Sequence, residues 1–243
     1  MATYSASYDA PAGINAIVVQ DNSAAVILQA ADIDHIRADY TYTSSYAFES
    51  SKLYDFTVAG STLTVTKTRE PNASLIIQSE DTRSCTLTLQ VPRQTLANIT
   101  VSTTNDSITL AGVSAQTASL TTDNGRIEVS NFNGSTLSGT TRNGKITMSG
   151  VTSQNVAATI QNSGTLKLEN ISANVCNAKV QNGSITGSVI GSFLSRGVNE
   201  RYKTALFDGL GLATVGLGAN AFVSNMPKTT YPVLFLSLIH ISE

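Results

Sequence analysis

The charged residues in the middle of the chain are few and fall in small groups: Asp106, Asp123, Arg126, Glu128, Arg142, Lys145, Lys167, Glu169 and Lys179. Acids set beside Arg or Lys on one face are what a polysaccharide lyase or hydrolase needs. One group moves a proton while a cation holds the developing charge. Nineteen residues separate Asp123 from Arg142 and Arg126 from Lys145, so units stacked in register bring each pair together. The Asp123–Arg142 pair reads as a surface contact of small energetic weight. No two carboxylates share a column on adjacent units, so the paired acids of a glycosidase are not indicated. His35 stands alone and reads as structural, and no nucleophile–base set or metal-ligand spacing is present. The expectation is a chain that is not an enzyme, with no catalytic, cofactor-binding or metal-binding residue. Asp123, Arg126, Arg142, Lys145 and Lys167 remain as a candidate exposed ligand face.

The elements that would position this face follow from a repeat. The turn asparagines Asn105, Asn124, Asn143, Asn162 and Asn182 are spaced 19, 19, 19 and 20 apart, the extra residue being Ser163 before Gly164. Three residues on, Ile108, Ile127 and Ile146 align, with Leu166 and Ile185 following once the insertion is allowed. Leu110, Val129, Met148 and Leu168 form the next apolar column, and Val113, Phe132, Val151 and Ile171 another. Apolar residues alternate with Ser, Thr, Lys or Glu, a period of two that means strands with one face buried. Asn-Gly by itself suggests an antiparallel hairpin. Recurrence of the whole unit in one register, with two corners per unit, suggests instead a parallel stack. The fold expected is all-β: a parallel β-solenoid of about five 19-residue coils, residues 96–191, under an N-terminal strand cap, residues 1–95. Gly125, Gly144 and Gly183 follow the turn Asn, where a left-handed backbone suits glycine.

Within residues 13–92, "NAIVV", "AAVILQ", "HIRADYTYT", "YDFTVA", "TLTVTK", "SLIIQ" and "CTLTLQV" read as strands without the repeat register, and hairpins capping the first coil are expected. Tyr40, Tyr42, Tyr46, Phe48, Tyr54 and Phe56 read as packing for an antiparallel sheet there. The pattern is expected to stop at Ser192. Residues 192–235 read as an irregular or poorly formed terminal segment, with a short helix as one option at its start. The final "LSLIHISE", residues 236–243, reads as translated sequencing-adapter read-through.

Composition agrees with an all-β reading. The chain has 29 Ser and 31 Thr, and only 13% of its 243 residues are charged, about half the ~25% usual for soluble domains. A net charge of −2 argues against nucleic acid and against a polybasic membrane patch. Cys85 and Cys176 read as two buried thiols, with a single disulfide as the alternative. Neither a signal peptide nor a transmembrane run is visible in this sequence. The outward positions Thr100/Ser102, Ser119/Thr121, Ser138/Thr140 and Ala157/Thr159 form a Thr-rich array like those of ice-binding solenoids, although Thr is also simply a good solvent-facing strand residue.

The ordered set "VPRQTLANITVSTTNDSITLAGV", "LTTDNGRIEVSNFNG", "GTTRNGKITMSGV" and "KVQNGSITGSV" resembles the bacterial putative-adhesin domain family. Its marks here are Val91-Pro92 before the first coil and the turns at Asn124, Asn143 and Asn182, and the likeness spans about residues 14–191. The resemblance implies a β-solenoid in an extracytoplasmic, cell-surface protein, with a non-enzymatic role in adhesion or envelope-stress sensing. It carries over no catalytic residue. Envelope glycans or proteins are the partners it suggests. A polysaccharide-acting β-helix enzyme and a structural solenoid associating end to end are the alternatives.

Overall fold

Strands follow wherever apolar and polar residues alternate. The computed structural model describes residues 2–44, 53–68, 83–197 and 213–216. Thirteen strands make one mixed sheet, with no helix among the described residues. They are β1 (Ala2–Asp9), β2 (Ala16–Gln20), β3 (Ala25–Ala31), β4 (Arg37–Ser44), β5 (Tyr54–Ala59), β6 (Thr62–Lys67), β7 (Arg83–Pro92), β8 (Thr95–Thr103), β9 (Ile108–Ala111), β10 (Ser114–Thr122), β11 (Ile127–Ser130), β12 (Asn133–Gly197) and β13 (Ala213–Gly216). The sheet order is β1-β4-β7-β3-β9-β11-β12-β10-β8-β2-β6-β5, with β13 beside β12. β12 therefore joins two arms, one through β11 and one through β10.

The 19-residue period sets the register. β8, β10 and β12 pair in parallel as Ile99↔Ala118↔Leu137 and Val101↔Leu120↔Gly139. On the other arm β9, β11 and β12 pair as Ile108↔Ile127↔Ile146 and Leu110↔Val129↔Met148. The aligned apolar columns point into one core, where Leu96, Ile99, Ile108, Ile127, Phe132 and Ile146 are all buried. At about 25 cal/mol per Å² of apolar surface, the rungs above and below each unit supply the cover that no single unit has.

A hydrogen-bonded ladder of side-chain amides runs along the outer corner. Asn124 donates to Asn105 (3.2 Å), Asn143 to Asn124 (3.1 Å) and Asn162 to Asn143 (2.8 Å). Asn143 thus both gives and accepts an amide bond. Asn143→Ala should lower stability by about 1 kcal/mol, the worth of a typical net hydrogen bond or two near the surface, as read from the midpoint of urea unfolding.

Two expectations need correction. The first concerns the glycine column. A Cβ on Gly125 would lie 1.8 Å from Asp106 O, and one on Gly144 would lie 2.2 Å from Gly125 O. Close approach of the neighbouring rung's backbone demands glycine there; Gly144 (φ 149°) and Gly183 (φ 148°) also have the positive φ expected, whereas Gly125 does not. A second left-handed column is Gly112 (φ 66°), Asn131 (51°), Gly150 (62°) and Asn170 (52°), filled by the two residue types that tolerate it.

The second concerns residues 13–92. β5 and β6 do form a hairpin, through Gly60-Ser61. β2 and β3, however, join the parallel ladders. β2 lies between β6 and β8, with Ile17 opposite Leu63 and Ile99. β3 lies between β7 and β9, with Val26 opposite Leu87 and Ile108. The chain enters mid-stack, runs outward, and returns at β8. Antiparallel pairing is confined to the outer strands, β1–β4, β4–β7 and β5–β6. There the ends of the sheet meet: Tyr8 of β1 stacks on Phe56 of β5 at 4.4 Å, and Tyr40 packs edge-on to Tyr54 at 5.0 Å. Tyr40, Tyr42 and Tyr54 are buried as expected of sheet packing, whereas Tyr46, Phe48 and the "SLIIQ" run lie outside the described residues. Residues 192–197, expected to leave the pattern or begin a helix, continue β12. Residues 217–243, with the segment read as adapter sequence, lie outside the described residues.

Candidate functional site

Charge divides the molecule into two unlike outer faces. The arm through β9 and β11 carries the side chains that sequence singled out. Arg126 Nη1 lies 3.0 Å from Glu128 Oε1 and Lys167 Nζ lies 2.7 Å from Glu169 Oε1. Each is a pair two residues apart on one strand, where alternate side chains share a face. Arg142 Nη2 reaches Asp123 Oδ1 across the 19-residue step at 3.8 Å. The structure thus brings Asp123 and Arg142 together, ties Arg126 and Lys167 to acids two residues along the chain, and leaves Lys145 exposed with no ion pair among the described residues. All three pairs are substantially exposed. Asp123→Ala should accordingly change stability by no more than about 0.5 kcal/mol, checked by the same urea titration. The strand-local pairs cancel charge where they stand, so this face presents no single-sign field.

The arm through β6, β2, β8 and β10 to the start of β12 differs. Its outward positions read Thr62, Thr64 and Thr66; Ala16, Val18 and Gln20; Asn98, Thr100 and Ser102; Thr117, Ser119 and Thr121; Thr136, Ser138 and Thr140. The register stacks them in three columns. None is charged and most carry a hydroxyl. Beyond this array, a cleft of about 390 Å³ opens over Gly134, Ser153 and Ala173, edged by Thr152, Gln154, Ser172 and Asn174. It too has no charged lining.

A third cluster is buried, and the sequence reading missed it. The register places Lys67, Asp21 and Thr103 one residue beyond the paired Thr66, Gln20 and Ser102. Lys67 and Asp21 side chains are 2% and 0% exposed, with Nζ 3.8 Å from Oδ1. Asp21 Oδ1 accepts from the backbone N–H of Asn22 (2.6 Å), Ser23 (2.8 Å) and Ala24 (2.8 Å). Its Oδ2 accepts from the Tyr54 hydroxyl at 2.5 Å. Lys67 Nζ donates to Ser23 Oγ at 2.7 Å, and Cys85 Sγ lies 3.6 Å from Tyr54 Oη. Burial, then the Asp21 carboxylate, pushes the Tyr54 phenol far above its ordinary range. These residues are 33 and 46 positions from Asp21, and only the parallel pairing of β2 with β6 reveals that they meet.

Cys85 and Cys176 are not joined by a disulfide, and burial pushes the Cys176 thiol up to about 12. His35 is not isolated: Nδ1 lies 2.5 Å from Asp34 Oδ1 and Nε2 3.4 Å from Asp9 Oδ1. The hydrogen bond to Asp34 raises the His35 pKa, and the same bond lowers that of Asp34. A raised histidine pKa adds stability below its unfolded value of 6.5, and that contribution is lost as pH rises through the folded pKa. His35→Gln should remove a small step in stability above pH 6.5, followed by urea titration across pH alongside an NMR titration of the ring. No group of three or more potential metal ligands gathers among the described residues.

A family model, Toastrack DUF4097, matches residues 14–190, most of the chain and all of the stacked units. The chain belongs to the Toastrack DUF4097 family. The Toastrack match takes in β2 to β7 as well as the 19-residue units, in keeping with ladders that run through both. A second model, described as a protein of unknown function (DUF554), matches residues 174–240, overlapping the end of the Toastrack region. In the same direction, an uncharacterized membrane protein, YdfK, of Bacillus subtilis (strain 168) is 38% identical over 52 residues, 21% of this chain and 23% of that protein. The chain therefore spans under a quarter of that relative's length. Among solved structures, a putative adhesin from Bacteroides fragilis NCTC 9343 aligns with TM-score 0.46 and 15% identity, covering 88% of this chain and 97% of that one. A putative adhesin from Parabacteroides distasonis ATCC 8503 aligns with TM-score 0.43 and 11% identity, covering 88% and 96%. A structure named putative lipid binding protein, from the same organism, aligns with TM-score 0.38 and 10% identity, covering 88% and 96%.

Proposed function

We propose that this Toastrack chain is a non-enzymatic binding module of the bacterial cell surface or envelope, built on a parallel β-solenoid of about five 19-residue coils. The solenoid reading is supported by the parallel ladders one period apart. It draws further support from the amide ladder reaching Asn162 and from the glycine column reaching Gly183. Binding is proposed for the uncharged hydroxyl face, and the observation that carries it is segregation of charge: fifteen stacked outward positions hold no ionisable side chain. Such a face imposes little desolvation cost on a neutral polar partner and offers donors and acceptors in rows about 4.8 Å apart. Neutral envelope glycans fit it better than acidic ones. The paired charges on the opposite face give no general acid or base positioned against a second reacting group.

The test is retention of the purified chain on immobilised neutral and acidic polysaccharides. Retention on neutral polymers, weakened at least tenfold by Thr121→Lys with Thr140→Lys and unchanged by Arg126→Ala, is the expected result. Retention governed by Arg126 or Lys145, or unsaturated product released from a uronate polymer, would overturn it. The envelope location is supported by the family resemblance and by the 52-residue likeness to a membrane protein.

A further inference from the structure

We propose that Lys67 and Asp21 condense to an intramolecular amide that covalently fastens the outer strands to the parallel stack. The pair has the parts such a reaction needs. The amine and carboxylate side chains are 2% and 0% exposed, so no bulk water competes, and the separated charges bear a desolvation cost that amide formation removes. Nζ is 3.8 Å from Oδ1, so the amine lies beside the carboxyl group it would attack, and a small side-chain shift is needed to bring it onto Cγ. The two carboxylate oxygens have different partners. Oδ1 faces three backbone N–H donors at 2.6–2.8 Å, an arrangement that stabilises an oxyanion. Oδ2 faces one proton donor, the Tyr54 hydroxyl.

The chemistry balances within the cluster. The Lys67 ammonium passes one proton to Oδ2, and its neutral nitrogen attacks Asp21 Cγ. The Nζ–Cγ bond forms while Oδ1 takes the negative charge against the three N–H groups. Oδ2, already carrying the proton from the ammonium, takes a second from Tyr54 and leaves as water. The new nitrogen returns a proton to Tyr54. One ammonium and one carboxylate become one amide and one water, with no oxidant, reductant or co-reactant. The Tyr54 hydroxyl already hydrogen-bonds Oδ2, so its proton is in place for transfer to the leaving oxygen. The product closes a ring from Asp21 at the corner after β2 to Lys67 at the end of β6, where the aromatic rings of the outer strands also gather.

Intact-mass spectrometry of the purified, denatured full chain tests this directly. The expected result is a mass lower by one water than the sequence requires, with a branched tryptic peptide joining the segments that contain Asp21 and Lys67. Tyr54→Phe, which keeps the ring, should restore most of the full mass, and Asp21→Asn should lose one ammonia in place of one water. A wild-type chain of full mass, or a lost water mapping to any other residue pair, overturns the proposal. Complete cross-linking in Tyr54→Phe would overturn the assignment of Tyr54 as proton donor.

Discussion

Gly164→Ala should destabilise the chain by about 4 kcal/mol or more, a value reached only by a few mechanisms, and should shift the urea midpoint accordingly. A Cβ at this position would stand 1.7 Å from Gly144 O and 2.8 Å from Gly144 C. Those atoms belong to the backbone of the adjacent rung and are tied into the ladder, so no side-chain rotation relieves the overlap. The backbone at Gly164 also has φ 156°, outside the usual range of an alanine. Either the rungs separate, at the expense of hydrogen bonds and core contacts on both sides, or the turn leaves the stack. Gly60→Ala is the control. Gly60 has φ 59° with nothing within 4 Å of its Cβ position, so only the left-handed backbone penalty applies, about 1–2 kcal/mol. Equal effects at the two sites would show that conformational preference, not close stacking, selects the glycine column.

Asp21→Ala should cost about 3–5 kcal/mol, because it removes the carboxylate beside a buried ammonium and the acceptor of three backbone N–H groups and of Tyr54. Lys67→Met in the Asp21→Ala background should recover a large part of that loss, since a long apolar side chain then fills the volume with no charge to solvate. The difference between the sum of the single changes and the double change measures the coupling. A double variant no more stable than Asp21→Ala would mean that Lys67 was not the source of the penalty. Thr103 Oγ1, buried without a hydrogen-bond partner, occupies the next rung of the same inward column. Thr122 and Thr141 continue that buried column on the following rungs.

Sequence made the stacked half legible because its signal is local and repeated. Asn124, Asn143 and Asn162 recur with one spacing, and each brings its apolar alternation with it. The Asp123–Arg142 contact could be read for the same reason, as one period separates the two residues. The role of β2 and β3 could not. Ile17 pairs with Leu63 and Ile99, partners 46 and 82 residues away, and no period marks them. Any alternating strand satisfies the local rules for either a hairpin or a parallel rung, so the choice depends on which edge its apolar face can cover. The glycine column was identified from sequence, and its positive φ holds at Gly144 and Gly183; the second cause could not be read, because a neighbouring carbonyl 1.8 Å from a hypothetical Cβ is a property of two rungs and not of one turn.

By itself, then, the sequence determined the all-β character, the 19-residue register, the inward columns and the sparse, strand-local charges. These are consequences of alternation and composition, which act over a few residues. Tertiary structure alone decided that β2 and β3 enter the parallel ladders, and that the uncharged array extends across β2 to β6 before β5 sets Asp55 opposite Thr66. It also decided that Asp21, Tyr54 and Lys67 meet in the interior. Each of these depends on long-range pairing, where burial of apolar columns and satisfaction of ladder hydrogen bonds choose among strands that are locally equivalent.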